Sequence, residues 1–567
     1  MKDSTRKILD SAFTAFSRVS LFIVGTAVIG FILPIALKGI GAFMFTATVE
    51  HEKFLSENLD YSLSKSDKER IRKSDAARQK LWEMIDSYES SKDSSQPLEK
   101  ISDLRISTFN KAIKDKDKLK SILSQTPSKR AKLIKEYAEG AWKAYADALD
   151  DAERGASGFL FQKFISEQER KLESDAEIFA EEICKGAKIS RMARNSLRRN
   201  FITYPISLLN ACRERFAEKN SAYLSMKGGI IELIGPRSLK EKEDMKLTRQ
   251  KYGQTRLDIA QRVLSEDIAK ISIRKISQGG IPIMDRVSSK EYFGNSVPGQ
   301  ILEYVEKHFD ELLQPHFTIY PGFFTDNPID ANIFGGIYPM ILGTFYLTVC
   351  AMIVAAPLGI AAAIYFSEYA GNGRIANFLR MCVGTLAGVP SIVFGLFGLA
   401  FLINTIKVSD GKSVFAGSLT LALLILPTII RTCEESLKAV PNSYREGALG
   451  LGAGKWRAIC GVILPAALPS MLTGIIISMG RAAGETAPII FTAATSAGLA
   501  IGLSDIFTQP TPALPWNIYN ICSEHEMAER VGHVQYGMAL TLICIVLFLN
   551  LSAIFIRAKL QNANKNK

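Results

Sequence analysis

The chain has 567 residues, with 69 Lys and Arg against 57 Asp and Glu, for a formal net charge of +12. Mean hydropathy lies just above zero although 22% of the residues are charged, so two unlike halves are being averaged. The charge excess is modest for this length and spread along the chain, which argues against nucleic-acid binding. Eight cysteines without C-x-x-C or other ligand spacing give no support for a metal site.

Lys2, Arg6, Lys7 and Arg18 precede an uncharged run at 19–37, just long enough to cross a hydrocarbon core of about 30 Å as a helix. Residues 1–18 are read as a cytoplasmic N-terminus and 19–45 as a retained first transmembrane helix. The run exceeds a usual signal-peptide core, and no convincing small-residue cleavage site follows it.

Residues 46–332 are rich in Lys, Arg, Glu, Asp and Ser, and under the positive-inside rule they lie outside the cytoplasm. Ile134, Tyr137, Ala138, Ala141, Tyr145 and Ala148 recur at helical spacing, as do Leu81, Ile85 and Tyr88. Residues 270–274 alternate like a strand, and Gly279-Gly280 before Ile281 and Ile283 predicts a hairpin. An α+β insert is therefore expected. Arg191, Arg194, Arg198 and Arg199 read as a solvated helical face, with attraction of an anion or acidic partner as the alternative. Cys184 and Cys212 both fall in the insert, where an oxidising compartment would permit a disulfide between them.

From 333 onward apolar runs dominate. Residues 333–366 hold a second span with Pro339 and Pro357, and 381–406 a third with Pro390 and four glycines. Small residues let membrane helices approach closely, so this third span is expected to be a helix deep in a bundle. Residues 413–430 make a fourth span, 467–500 contain a fifth and 536–556 form a sixth. The core thus runs over 333–557, with a basic tail at 558–567. Six spans place both termini and the charged 441–465 loop in the cytoplasm.

In that loop, Ser443 and Glu446 fit a capping box that starts a short helix. Gly447, Gly450, Gly452 and Gly454 then interrupt it, with a turn near Gly452. A second short helix over 455–463 carries Trp456 and Ile459 at helical spacing beside Lys455 and Arg457, and Pro465 limits it. In the fifth span, Arg481 lies roughly 20 Å along the helix from Leu468, near mid-bilayer. Arginine there costs about 2.5–3.5 kcal/mol on insertion scales, so it should face a bundle interior or a water-filled path. Glu485, one turn on, can pair with it. Gly480 and Gly484 make a small-x3-small face for helix packing. Arg481 either attracts an oxyanion through its planar donor fork or forms a packing salt bridge with Glu485.

Glu446-Gly447-Ala448, Gly452 and Val462-Ile463-Leu464-Pro465 resemble the E-A-A-x3-G-x9-I-x-L-P loop of binding-protein-dependent ABC importer permeases, with Gly447 and Val462 as small departures. Residues 387–398, 430–435, 440–446 and Gly480-Arg481-Ala482-Ala483-Gly484-Glu485-Thr486-Ala487-Pro488 resemble the phosphate-importing branch of that family. The resemblance spans roughly 335 to the C-terminus. It implies six helices of the type I ABC importer permease fold in a bacterial cytoplasmic (inner) membrane, and a non-enzymatic subunit that passes phosphate. It also implies an ABC ATPase dimer that binds ATP and Mg, a second permease and a phosphate-binding protein as partners. Ser443, Glu446, Gly447, Ala448, Gly452, Lys455, Trp456, Arg457, Ile459 and Pro465 would couple to the ATPase, and Arg481 would serve phosphate passage. No G-x4-G-K-[ST] loop occurs: Gly411-Lys412-Ser413 lacks the upstream glycine, and Gly454-Lys455 leads into Trp456. A sulfate or molybdate permease and a membrane-bound sensor are the other classes. A metalloprotease reading of His525-Glu526 and His533 fails on spacing.

Overall fold

A computed structural model describes residues 3–565 apart from 92–95, 156–157, 187–188, 277–281, 372, 497, 525–526 and 529. His525-Glu526, the Gly279-Gly280 turn and the terminal Lys567 lie outside the described residues. Packing divides the chain into two units, one of Met1–Phe45 with Phe317–Lys567 and one of Thr46–His316.

The first unit holds the apolar helices. Among the described residues, five are long and apolar enough to cross a membrane: Ser11–Ile40, Tyr338–Tyr369, Val414–Lys438, Lys455–Gly484 and Gly532–Lys559. A bent pair, Arg374–Leu386 and Ser391–Ile406, makes a sixth span if counted as one. The fourth span, Val414–Lys438, is the most buried of them. Ser413 starts it by accepting a hydrogen bond from the Ala416 amide. The second span lies so close to it that a Cβ on Gly359 would stand 2.5 Å from Ile429 Cγ2. The first span leans on the sixth, where a Cβ on Gly39 would meet Leu540 Cβ and the Tyr536 carbonyl at 2.7 Å.

The third span is not the straight buried helix expected from its composition. It bends by 101° between its two arms. Pro390, which cannot donate a backbone hydrogen bond, follows a tight turn closed by Gly388 N on Thr385 O and Val389 N on Leu386 O. The segment 317–332, read from sequence as the end of the insert, packs with the spans. Phe323 presses on Gly537 of the last helix, and the Ile337 amide donates to Phe323 O at 2.8 Å.

The second unit is mostly helical, with one antiparallel hairpin of Lys270–Ile276 and Pro282–Ser288 that pairs Ile273 with Asp285. The α+β expectation therefore reduces to a helical domain carrying one hairpin, because apolar residues at helical spacing fill most of the insert. The 44-residue helix Arg191–Ile234 joins two cores. One packs Phe109, Trp142, Phe179 and Phe201 around its first half, and the other packs Leu81, Ile85, Ile230 and Ile301 around its second. Arg194 and Arg198 pair with Glu181 and Glu177 of the preceding helix, Gly158–Cys184, so two of the four arginines of this basic face are matched within the domain.

The structure does not join Cys184 and Cys212 in the disulfide that the sequence would permit. The two antiparallel helices pair Arg194 with Glu181 and Arg213 with Glu169. Cys212 thus sits opposite residues near Glu169, about 20 Å along the helix from Cys184 at 1.5 Å per residue, far beyond disulfide reach.

Candidate functional site

The 441–465 loop folds as two short helices around a tight turn. The first, Asn442–Gly450, begins two residues earlier than the capping-box reading requires. Pro441, with ψ 144°, is the N-cap and leaves no side-chain cap, so Ser443 lies inside the first turn. The helix ends in a Schellman motif: Gly452 N donates to Leu449 O at 2.9 Å and Ala453 N to Ala448 O at 3.2 Å. Gly452 has φ +82°, the left-handed conformation that only glycine adopts without penalty.

The second helix, Lys455–Ala458, does not stop at Pro465. A π-helical turn, Ile459–Ile463, carries it into Leu464–Gly484, making the continuous 30-residue helix Lys455–Gly484. Pro465 falls in the first turn of the α-helical segment beyond the π turn, a position where its missing N–H is tolerated. Tyr444, Leu449, Leu451 and Trp456 are exposed, and Leu451 is 90% exposed. Glu446, Gly447, Gly452, Lys455 and Arg457 are exposed as well. Ile459 is fully buried in the core of the spans and Ala448 is buried too, so neither is available to a partner. A period of 3.6 placed Ile459 beside Trp456, but the π turn draws it inward.

Arg481 lies in the last turn of Leu464–Gly484, not at mid-helix. The helix stops because Glu485 adopts extended backbone, φ −76° and ψ 126°. The chain then re-forms as the short helix Ala487–Thr492, which packs on the second arm of the bent span: a Cβ on Gly395 would stand 2.9 Å from Ala487 O. The charge pair therefore sits at a break in the fifth span. Arg481 Nε donates to Glu485 Oε1 at 3.2 Å, with the arginine side chain 46% exposed and the carboxylate 19%. Both terminal guanidinium nitrogens make no hydrogen bond with the described residues. Among the described residues, this half of the planar guanidinium fork is open, and such a fork can meet two oxygens of a tetrahedral oxyanion. Of the two glycines expected to pack helices, Gly480 faces Val546 and Asn550 of the last helix, whereas Gly484 has open space where a Cβ would sit.

Sequence reading missed Arg445, Glu368, Arg380 and Glu434 as connected groups. Arg445 pairs with Glu368 at 2.9 Å and Arg380 with Glu434 at 2.8 Å. Charged residues flanking apolar runs were the available signal, but their partners lie on other helices.

Residues 355–565 match the family described as "Binding-protein-dependent transport system inner membrane component". Among curated relatives, "Phosphate transport system permease protein PstA 1" of Mycobacterium tuberculosis (strain CDC 1551 / Oshkosh) is 38% identical over 224 residues, covering 39% of this chain and 71% of the relative. "Phosphate transport system permease protein PstA" of Yersinia pestis is 37% identical over 225 residues, covering 40% and 73%. "Probable ABC transporter permease protein YqgI" of Bacillus subtilis (strain 168) is 31% identical over 228 residues, covering 39% and 76%.

Proposed function

We propose, because the chain belongs to the family of binding-protein-dependent transport system inner membrane components, that it is the PstA-like permease subunit of a phosphate importer. It is an α-helical, multi-pass membrane protein whose core is an ABC importer permease and whose long insert lies outside the matched region. The carrying observation is Arg481, whose two terminal nitrogens are unengaged among the described residues, beside Glu485 at a helix break. Phosphate oxygens would take those donors in a bidentate arrangement, and Glu485 would hold the guanidinium in place when no anion is present.

The chain would work in a bacterial cytoplasmic membrane with both termini and the 441–465 loop in the cytoplasm. A PstC-like second permease would complete the path, and a PstS-like binding protein would deliver phosphate. A PstB-like ATPase dimer, holding ATP and Mg, would dock on Tyr444, Leu449, Leu451 and Trp456, the exposed apolar side chains of the loop. Alternating access would then come from ATP-driven movement of that loop against the spans. One arginine does not distinguish tetrahedral oxyanions, so sulfate or molybdate is the competing cargo.

The test is uptake into proteoliposomes containing the assembled complex, with radiolabelled phosphate and excess unlabelled phosphate, sulfate or molybdate. Phosphate alone should compete. Competition by sulfate or molybdate in place of phosphate would move the cargo and leave the permease assignment standing.

A further inference from the structure

Basic side chains from separate segments converge on the π-helical end of the second span, Tyr365–Tyr369. Arg445, on the first loop helix, donates from Nη2 and Nε to Glu368 Oε1 at 2.9 and 3.2 Å. It also donates to the carbonyls of Leu437 at 2.7 Å and Val440 at 2.6 Å, closing the end of the fourth span. Arg380, on the first arm of the bent span, donates to Phe366 O at 2.7 Å and Gly371 O at 3.1 Å. Its Nε reaches Glu434 Oε1 on the fourth span at 2.8 Å, and Lys438 meets the same oxygen at 2.7 Å. Lys455, on the second loop helix, stands 4.7 Å from the centre of the Tyr369 ring.

Chain connectivity gives this cluster a mechanical meaning. The loop is covalently continuous with the fourth and fifth spans, so a displaced loop pulls on both directly. The second span has no covalent link to the loop. Apolar packing between helices permits sliding, whereas a charged pair with several directed hydrogen bonds resists both sliding and rotation. Glu368 is only 8% exposed and Arg445 19%, so the pair is shielded from water and from salt. A carboxylate buried to that degree needs its partner in place.

We propose that Arg445 and Glu368 form the joint that transmits loop displacement to the second span, with Arg445 as a positioning residue gripping three segments at once. This rests on the importer reading, in which the loop is the element an ATPase moves. Arg445 also caps carbonyls, so its removal disturbs folding; Glu368 is the cleaner probe.

The experiment compares wild type, Glu368→Gln and Glu368→Ala in the full complex of both permeases, ATPase and binding protein, reconstituted in proteoliposomes. It reads assembly, ATP hydrolysis and phosphate taken up per ATP. Glu368→Ala should assemble and hydrolyse ATP while phosphate per ATP falls several-fold, and Glu368→Gln should fall between. An unchanged ratio in Glu368→Ala overturns the joint. Parallel loss of assembly, hydrolysis and uptake in Glu368→Ala and Glu368→Gln alike also overturns it and makes the pair a folding contact. Absence of uptake of phosphate, sulfate and molybdate alike by the hydrolysing wild-type complex would instead defeat the importer reading, so the two failures are distinguishable.

Discussion

Gly452 offers a sharp test of the loop because its constraint is purely conformational. Its φ of +82° is left-handed, and a Cβ built there meets nothing within 4 Å. Alanine would therefore clash with no neighbour and would pay only the left-handed penalty, about 1–2 kcal/mol. Valine should cost more, since a β-branched residue at positive φ is a genuine outlier. Gly447 supplies the control: it lies inside Asn442–Gly450, also with open space around a Cβ. Alanine there should stabilise the helix by about 1 kcal/mol, since glycine is a poor helix residue. The same substitution five residues apart thus has opposite signs. A cost of 1–2 kcal/mol depletes the native turn about 5- to 30-fold relative to competing loop conformations. ATPase affinity should fall by up to that factor in Gly452→Ala, and further in Gly452→Val. Titration of the ATPase onto the permease pair in lipid nanodiscs reads this directly. Wild-type affinity in Gly452→Val would refute the requirement for the turn, as would equal losses in Gly447→Ala and Gly452→Ala.

Three further outcomes follow from the same structure. Trp456→Ala should leave thermal stability within about 0.5 kcal/mol because the side chain is exposed, yet weaken ATPase binding. Ile459→Ala should cost roughly 2–5 kcal/mol because its side chain is fully buried; equal effects of the two on stability would contradict their assigned faces. Burial, aided by the nearby charges of His316 and Arg256, lowers the His51 pKa to about 3, so the insert should lose stability as pH drops below 6.5. Burial alone would raise the Glu50 carboxyl, but Arg78, Lys53 and the Gly253 amide hold it below its ordinary value, and its contribution is lost as pH falls below about 4.5. Hydrogen exchange of the insert across pH 7 to 4 should therefore show earlier opening at the acid end, where unchanged protection would remove the His51 effect, and unchanged protection on going on to about pH 3 would remove that of Glu50. Under denaturing, non-reducing conditions Cys184 and Cys212 should each take up an alkylating label, whereas protection until reductant is added would show a bond between them.

The spans were legible because long uncharged runs are the strongest signal a membrane sequence carries. Val414–Lys438 extends the apolar run read at 413–430 by two turns, since Cys433, Glu434 and Leu437 are buried by the surrounding structure. The bend in the third span was not legible. Pro390 and its neighbouring glycines suit both a tightly packed helix and a sharp turn, and only the surrounding helices decide. The fifth span misled in a similar way: periodicity carries no mark for the π turn at Ile459–Ile463 or for the extended backbone at Glu485. Gly452 was legible because glycine spacing after a short helix names the turn it needs. The Arg445–Glu368 joint was not, since its partners are 77 residues apart and the motif that holds Arg445 does not reach Glu368.

The central claim is that Arg481 lies on the path of a transported oxyanion. Phosphate uptake by the reconstituted complex carrying Arg481→Gln, with assembly and ATP hydrolysis measured alongside, tests it most directly. The account predicts an intact, hydrolysing complex that no longer takes up phosphate, because glutamine keeps a hydrogen-bonding side chain for Glu485 but removes the cationic fork. Uptake at the wild-type rate would contradict it and leave the Arg481–Glu485 pair as a structural contact at the break in the fifth span.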